Sequence, residues 1–357
     1  MWQVENDTPF MASGIWTRGR DGGEVWMVAV RCSLRINPDG TTAVADEQEP
    51  PVVAPKFGGG PGAGSLVYDS DFYLTKPTTD VLLHGHAYAS GGKPATSVDV
   101  SLRIGDLQKT LRVTGDRAYQ HSVSGVSIGS PQPFMRMPLV YERAYGGREP
   151  DPVKDPARPH FDQYNPVGTG LVPVPGKIAP NIETMGSNGG SKPAGFGPIP
   201  AHWRQRVQHA GTYDEAWQKN RFPLYPIDLD DRFFLCSPED QRPKHFFRGG
   251  EPVELLNLTP TGRMAFLLPR LAFRFETDIK GKPRITHRGT LHTVILEPDV
   301  PRVVLVWRTS LPAHADVQRL DRTRVNLLSV TNAHPRSVPS GIDEGWRDPD
   351  EEGGEGR

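Results

Sequence analysis

Residues 146–200 hold ten glycines and eleven prolines in 55 positions. Proline lacks the backbone N–H that a sheet ladder needs and breaks a helix interior, so this stretch can be neither a central strand nor a long helix. A flexible linker would be richer in serine and charge. Apolar residues instead recur through it (Phe161, Tyr164, Val167, Leu171, Ile178, Ile182, Phe196 and Ile199), which predicts an ordered loop wrapped on a core. Over all 357 residues, 38 glycines and 36 prolines make about a fifth of the chain, which calls for many turns and few helices.

On both sides of that stretch the pattern is β. "EVWMVAVRCSLRI" alternates apolar and polar residues and stops at the turn signal "NPDG". "LVYDSDFYL" and "TDVLLHGHAY" follow, and "SVDVSLRIGDLQKTLRV" reads as a hairpin turning at Gly105-Asp106. "PFMRMPLVYERAY" reads as the next strand. After the loop, "TYDEAWQKN" predicts a short helix with Thr212 as its cap and Glu215 closing a capping box. Pro223 and Pro226 end it. Strands then return in "EPVELLNLTP", "RMAFLLP", "LAFRFETDIKGKPRI" (a hairpin at Lys280-Gly281-Lys282), "TLHTVILEP" and "RVVLVWRT". The expected fold is mainly β: a sandwich-like antiparallel core built from both ends of the chain, with long Pro/Gly-rich ordered loops and few short helices. One domain is expected over 1–341, strand-rich in 1–145 and 241–330, with the loop and short helix in 146–240 wrapped over it. Residues 342–357, acidic and glycine-rich, read as a solvated, disordered tail.

Charge excludes some partners. Forty-one basic against 42 acidic residues give a net charge of −1, so no global field recruits nucleic acid or an anionic membrane. No apolar run approaches a membrane span, and "MWQVENDTPF" has neither the basic nor the apolar region of a secretory signal, so a cytoplasmic protein without membrane insertion is expected. Cys32 and Cys236 cannot form a disulfide framework.

No chemical motif stands clear of its plainer reading. In "YERAYGG", Glu142 and Arg143 are neighbours; on a strand they face opposite ways and cannot share one substrate. A structural role for Tyr141, Glu142, Arg143, Gly146 and Gly147 follows, with Arg143 paired to an aspartate of "DLDDRF" (Asp228, Asp230 or Asp231). "HGH" puts His84 and His86 on one strand face, with His287 or His292 as a third ligand, but without the spacing of a zinc site. "GGGPGAGS" lacks the Lys-Ser/Thr ending of a phosphate loop. Ten arginines in 263–324 read as an ordinary polar sheet face. Glu239 and Asp240 add to the acidic run of 228–231, a solvated or salt-bridged loop by default. No catalytic residue, metal or cofactor is expected.

Ten stretches, in order, carry a family resemblance: "TKPTTDVLLHGHAYASGG", "KTLRVTGDRAY", "MPLVYERAYGG", "YNPVGTG", "PNIE", "GFGPIPAHWRQR", "GTYDEAWQKNRFPLYPIDLDDRFF", "PEDQRP", "GGEPVELLNLTP" and "HTVILEPD". In these the chain resembles the bacterial domain-of-unknown-function family 2169 (DUF2169), found with type VI secretion systems and described as accessory or effector-adaptor proteins. Ser90 stands where that family leads one to expect proline. The resemblance implies an adaptor or chaperone that holds a secreted effector (a toxin), or its PAAR-like spike-tip domain, and aids loading on the spike. It brings no catalytic residues. Within the longest of these stretches Asp214, Asp228 and Asp231 are structural candidates. Trp203, Tyr213 and Trp217 are the candidate partner-binding anchors. Two other readings stay open: a hydrolase using carboxylates near 228–240 with His202 or His209, and a structural component of the spike.

Overall fold

A computed structural model of the chain describes residues 2–59, 64–123, 125–149, 161–186 and 192–331. The acidic tail, the middle of "GGGPGAGS" and part of the Pro/Gly stretch lie outside the described residues.

The protein is mainly β, as its alternating segments require. Its largest sheet has six strands, in the order Met11–Arg18, Glu24–Ile36, Arg302–Pro312, Thr290–Glu297 and Asp80–Leu83, with Thr42–Val44 pairing separately on Glu24–Ile36. A five-stranded sheet runs Ile182–Thr184, Leu107–Thr114, Ser97–Ile104, Pro252–Leu256 and Arg263–Leu267. A four-stranded sheet joins Gln3–Asp7, Leu320–Thr331, Arg270–Ile279 and Ile285–Arg288, so segments from near both ends of the chain lie side by side. Most pairings are antiparallel; Gln3–Asp7 on Leu320–Thr331 and Asp80–Leu83 on Thr290–Glu297 are parallel. The hairpins turn where glycine permits it. Gly105, between Ile104 and Leu107, has a φ of 56°, and Gly281 one of 78°.

One face of the six-stranded sheet packs on both other sheets. Trp26, Val28, Val30, Cys32 and Leu34 join Val100, Leu102, Phe273, Phe275 and Val325 in a single core. Trp26 Nε1 donates to Thr323 Oγ1 at 2.9 Å across that layer, satisfying the one polar atom of the buried ring. The opposite face is buried too, under residues 52–76 and 194–246, where Met27 and Ala29 meet Phe72 and where Leu82, Ile295 and Val304 meet Cys236. The alternation of Glu24–Ile36 therefore does not divide a core face from a solvated one: Arg31 and Ser33 are fully buried.

Three expectations are corrected. "LVYDSDFYL" is a strand only over Leu66–Tyr68. "PFMRMPLVYERAY" is not one strand: it pairs over Arg136–Pro138 and again from Tyr145, with a 3-10 turn at Tyr141–Arg143 between them. The helix Glu215–Asn220 is capped by Asp214, which accepts from Trp217 N, and not by Thr212 with a Glu215 capping box.

Candidate functional site

Because Tyr141–Arg143 is a turn, its three side chains leave in different directions, and each ties down a separate segment. Tyr141 is buried, lies edge-on to Trp203 with ring centroids 5.2 Å apart, and donates to the Gly197 carbonyl at 3.2 Å. Burial holds its phenol far above the ordinary tyrosine range. The Glu142 carboxylate accepts from Ser65 N and Oγ, both at 2.7 Å. Arg143 donates to Asp116 Oδ1 at 2.8 Å and Asn181 Oδ1 at 3.0 Å. The predicted pairing of Arg143 with an aspartate of "DLDDRF" is therefore wrong; those aspartates serve other segments.

Asn165, from "YNPVGTG", closes the motif by donating to the carbonyls of Tyr141 and Tyr145 at 2.8 and 2.9 Å. Tyr145-Gly146 and Thr169-Gly170 then pair in parallel. Gly146 has a φ of 142°, and a Cβ on it would sit 2.2 Å from the Asn165 carbonyl oxygen, so no other residue fits there. The glycine backbones wall an open cleft of about 420 Å³, with Tyr119, Arg148 and Lys177 among its lining.

A second feature is exposed. Asp214 starts the helix Glu215–Asn220, and the rings of Tyr213, Trp217 and Phe222 meet edge to face at 4.7 and 5.7 Å. Tyr213 is 51% exposed, Phe222 67% and nearby Ile227 84%. The ridge is braced from below. Trp217 Nε1 donates to Leu224 O at 2.9 Å, Thr212 Oγ1 to Asp228 Oδ2 at 2.7 Å and Thr75 Oγ1 to Asp231 Oδ1 at 2.6 Å. Arg20 also pairs with Asp231, and Arg221 donates to the Arg20 carbonyl. Trp203 does not belong to this surface. It is 1% exposed and fills the core under the loop, a correction to its reading as a partner anchor. Its sequence gave no sign of this, because a lone tryptophan in a Pro/Gly loop suits either role.

A third feature had no recognised sequence signal, although charged residues inside apolar runs ("VAVRCSL", "TDVLLH") were visible. Beneath the loop shell, the covered face of the six-stranded sheet is ionic. Lys76 Nζ lies 2.6 Å from Asp80 Oδ2, Arg206 Nη1 2.6 Å from Asp69 Oδ2, and Arg31 Nη1 3.2 Å from Asp71 Oδ2, all six side chains nearly or fully buried. Asp80 also accepts from Cys236 N, Ser237 N and Ser237 Oγ. Burial opposes its ionisation, but Lys76 and Ser237 outweigh that and hold its pKa down at about 2. Lys109 Nζ joins Gly195 O, Asp240 Oδ1 and Gln241 Oε1 within 2.8 Å. These contacts lock both ends of the loop shell on the sheets.

The histidine pair is divided. His84 packs edge-on against Tyr68, and burial lowers its pKa to about 4. His86 pairs with Asp299 at 2.6 Å, beside Arg136. His287 sits between Thr277 and Thr309, and the His292 ring lies tilted against Phe246 with centroids 5.6 Å apart. Among the described residues no three His, Cys, Asp or Glu side chains converge as a metal site would need. His202 lies near Phe57, and His209 stands 3.9 Å from Asp230, which also caps Asp231–Phe234. Of the ten arginines in 263–324, Arg322 and Arg324 share Glu5, Arg302 pairs with Glu297, and Arg284 with Asp278. Arg308 instead is buried, donating to Leu74 O at 2.7 Å.

Together these features define a β-rich protein whose long loop shell is locked by ion pairs on a sandwich-like core. The family model described as "Uncharacterized protein conserved in bacteria (DUF2169)" matches residues 21–308, and the chain belongs to that family. No curated protein and no solved structure matches it. No described helix is long and apolar enough to cross a membrane.

Proposed function

We propose that the protein is a non-enzymatic adaptor of type VI secretion, a chaperone that holds an effector or its spike-tip domain in the cytoplasm and aids its loading on the spike. The observation that carries this reading is the ridge of Tyr213, Trp217, Phe222 and Ile227, aromatic and aliphatic surface held outward on a braced loop. Rings with few rotatable bonds, already fixed by neighbours, bind a partner with little ordering cost, which is how interface anchors act. The carboxylates of 228–240 favour no hydrolase, since Asp228, Asp230, Asp231 and Asp240 each bind a structural partner.

The test has two levels. In a deletion strain, secretion of the toxin encoded beside this gene should stop while secretion of the tube protein continues. Loss of both would make the protein a structural part of the spike, and loss of neither would end the adaptor reading. In vitro, Phe222→Asp or Tyr213→Ala should weaken binding to that toxin by about 30-fold, the effect of a hot spot worth about 2 kcal/mol.

A further inference from the structure

The six-stranded sheet ends in Met11–Arg18, which among the described residues pairs only with Glu24–Ile36. The register fixes the direction of its backbone groups. Gly19 N donates to Gly23 O at 2.7 Å on this side of Glu24–Ile36, while Glu24 O accepts from Ala313 N and Ile36 N donates to Pro301 O on the other. In an antiparallel ladder each residue points N–H and C=O the same way, and its neighbours point theirs oppositely. Met11, Ser13, Ile15 and Thr17 therefore bond inward to Arg31, Ala29, Met27 and Val25. Ala12, Gly14 and Trp16 turn both groups outward, and no described residue takes up those groups.

Natural sheets blunt such an edge with proline, lysine, a bulge or a covering segment. Here "MASGIWTR" has no proline or lysine, pairs without a register shift, and carries one charge, Arg18, at its far end. Met11 and Trp16 are each 41% exposed. Trp16 leans on Trp2, ring centroids 5.9 Å apart, which fixes the indole beside the edge.

We propose that Met11–Arg18 pairs antiparallel with the same strand of a second copy of this chain, about a two-fold axis at Gly14. That register joins the outward residues as hydrogen-bonded pairs: Ala12 with Trp16 of the second copy, Gly14 with Gly14, and Trp16 with Ala12. Within the strand each large apolar side chain then meets a smaller one. The indole of Trp16 lies across from Ala12, Ile15 from Ser13 and Met11 from Thr17, and Arg18 falls opposite Phe10, so no like charges meet. Gly14 suits the axis because it has no room for a side chain: a Cβ there would lie 2.5 Å from the Trp26 ring. The pairing is independent of the adaptor reading and extends the sheet between two molecules.

Sedimentation equilibrium on the full chain tests it. The wild type should be a dimer that dissociates on dilution. Ala12→Pro removes an outward N–H and leaves the inward ladder intact; Trp16→Lys puts a charge on the edge. Each should raise the dimer dissociation constant about tenfold or more, with unchanged circular dichroism and cooperative unfolding. Should Ala12→Pro fail to fold, Trp16→Lys and hydrogen exchange decide. The amides of Ala12, Gly14 and Trp16 should be protected in the wild type at high concentration and exchange freely in Trp16→Lys. A wild type that stays monomeric at the highest concentration, a folded Trp16→Lys that dimerises as tightly, or a dimer whose three outward amides exchange freely would each overturn the proposal.

Discussion

Asp80 and Lys76 carry opposite charges where neither reaches water. Taking both out of water is costly, and their attraction together with the hydrogen bonds from Cys236 and Ser237 offsets that cost. Removing one partner strands the other. Asp80→Ala should therefore lose about 3–5 kcal/mol in urea unfolding, while the double change Lys76→Met with Asp80→Leu should lose less than Asp80→Ala alone. A double variant as damaged as the sum of its single changes would show that the pair is not the coupled unit. Tyr141→Ala should lose about 3–5 kcal/mol because it empties a core position against Trp203. Arg143→Ala should lose only about 0–1 kcal/mol, since its ion pair with Asp116 is about a third exposed on the arginine side and nearly half on the other.

The helix Glu215–Asn220 is too short to hold itself, so its first turn depends on the cap and on the rings beside it. Asp214→Ala removes the acceptor for Trp217 N and should destabilise that turn by about 1 kcal/mol. Thr212→Ala cuts the tie to Asp228 instead and should leave the Trp217 amide as protected as before. Hydrogen exchange at Trp217 separates the two. Because the element packs at the surface, neither change should move the global unfolding midpoint. A large global loss would mean that the ridge is part of the core. The same logic explains the turn at Tyr141–Arg143: a continued strand would put Glu142 and Arg143 on opposite faces of a sheet, whereas the turn sends them to Ser65 and Asp116 and leaves the ring for the core.

Across the whole molecule, histidines buried without charge make stability depend on pH. Burial lowers His84 and His287 to about 4 each and His292 well below its ordinary value, with Arg308 and Lys76 adding to the effect at His292. Unfolded histidines titrate near 6.5, so between about pH 6.5 and 4 the unfolded chain binds more protons than the folded one. Stability present above pH 6.5 should then fall by up to about 1.4 kcal/mol per pH unit for each histidine as the solution is acidified. Asp80 acts lower down: its depressed pKa contributes stability that is kept above about pH 4 and lost as pH falls toward 2. Urea midpoints measured from pH 7 to pH 4 should slope downward, and His292→Phe should flatten the slope. A wild-type midpoint constant over that range would refute the linkage.

Local patterns alone determined the β class and the hairpins at Gly105 and Gly281, because alternation and turn residues act over a few residues. Residue chemistry marked "YERAYGG" and the family resemblance marked "YNPVGTG", though neither showed that Asn165 of the second closes the turn of the first. Only the tertiary structure decided that Glu24–Ile36 is buried on both faces, that Trp203 fills the core while Tyr213 stays outside, and that Arg143 finds Asp116. It alone assembled the ionic layer, whose partners come from distant segments: Arg206 meets Asp69 across 137 positions, and Ser237 meets Asp80 across 157. The reason is physical. A charge inside an apolar run is tolerable only if a counter-charge arrives from elsewhere in the fold, and spacing along the chain does not encode which one arrives.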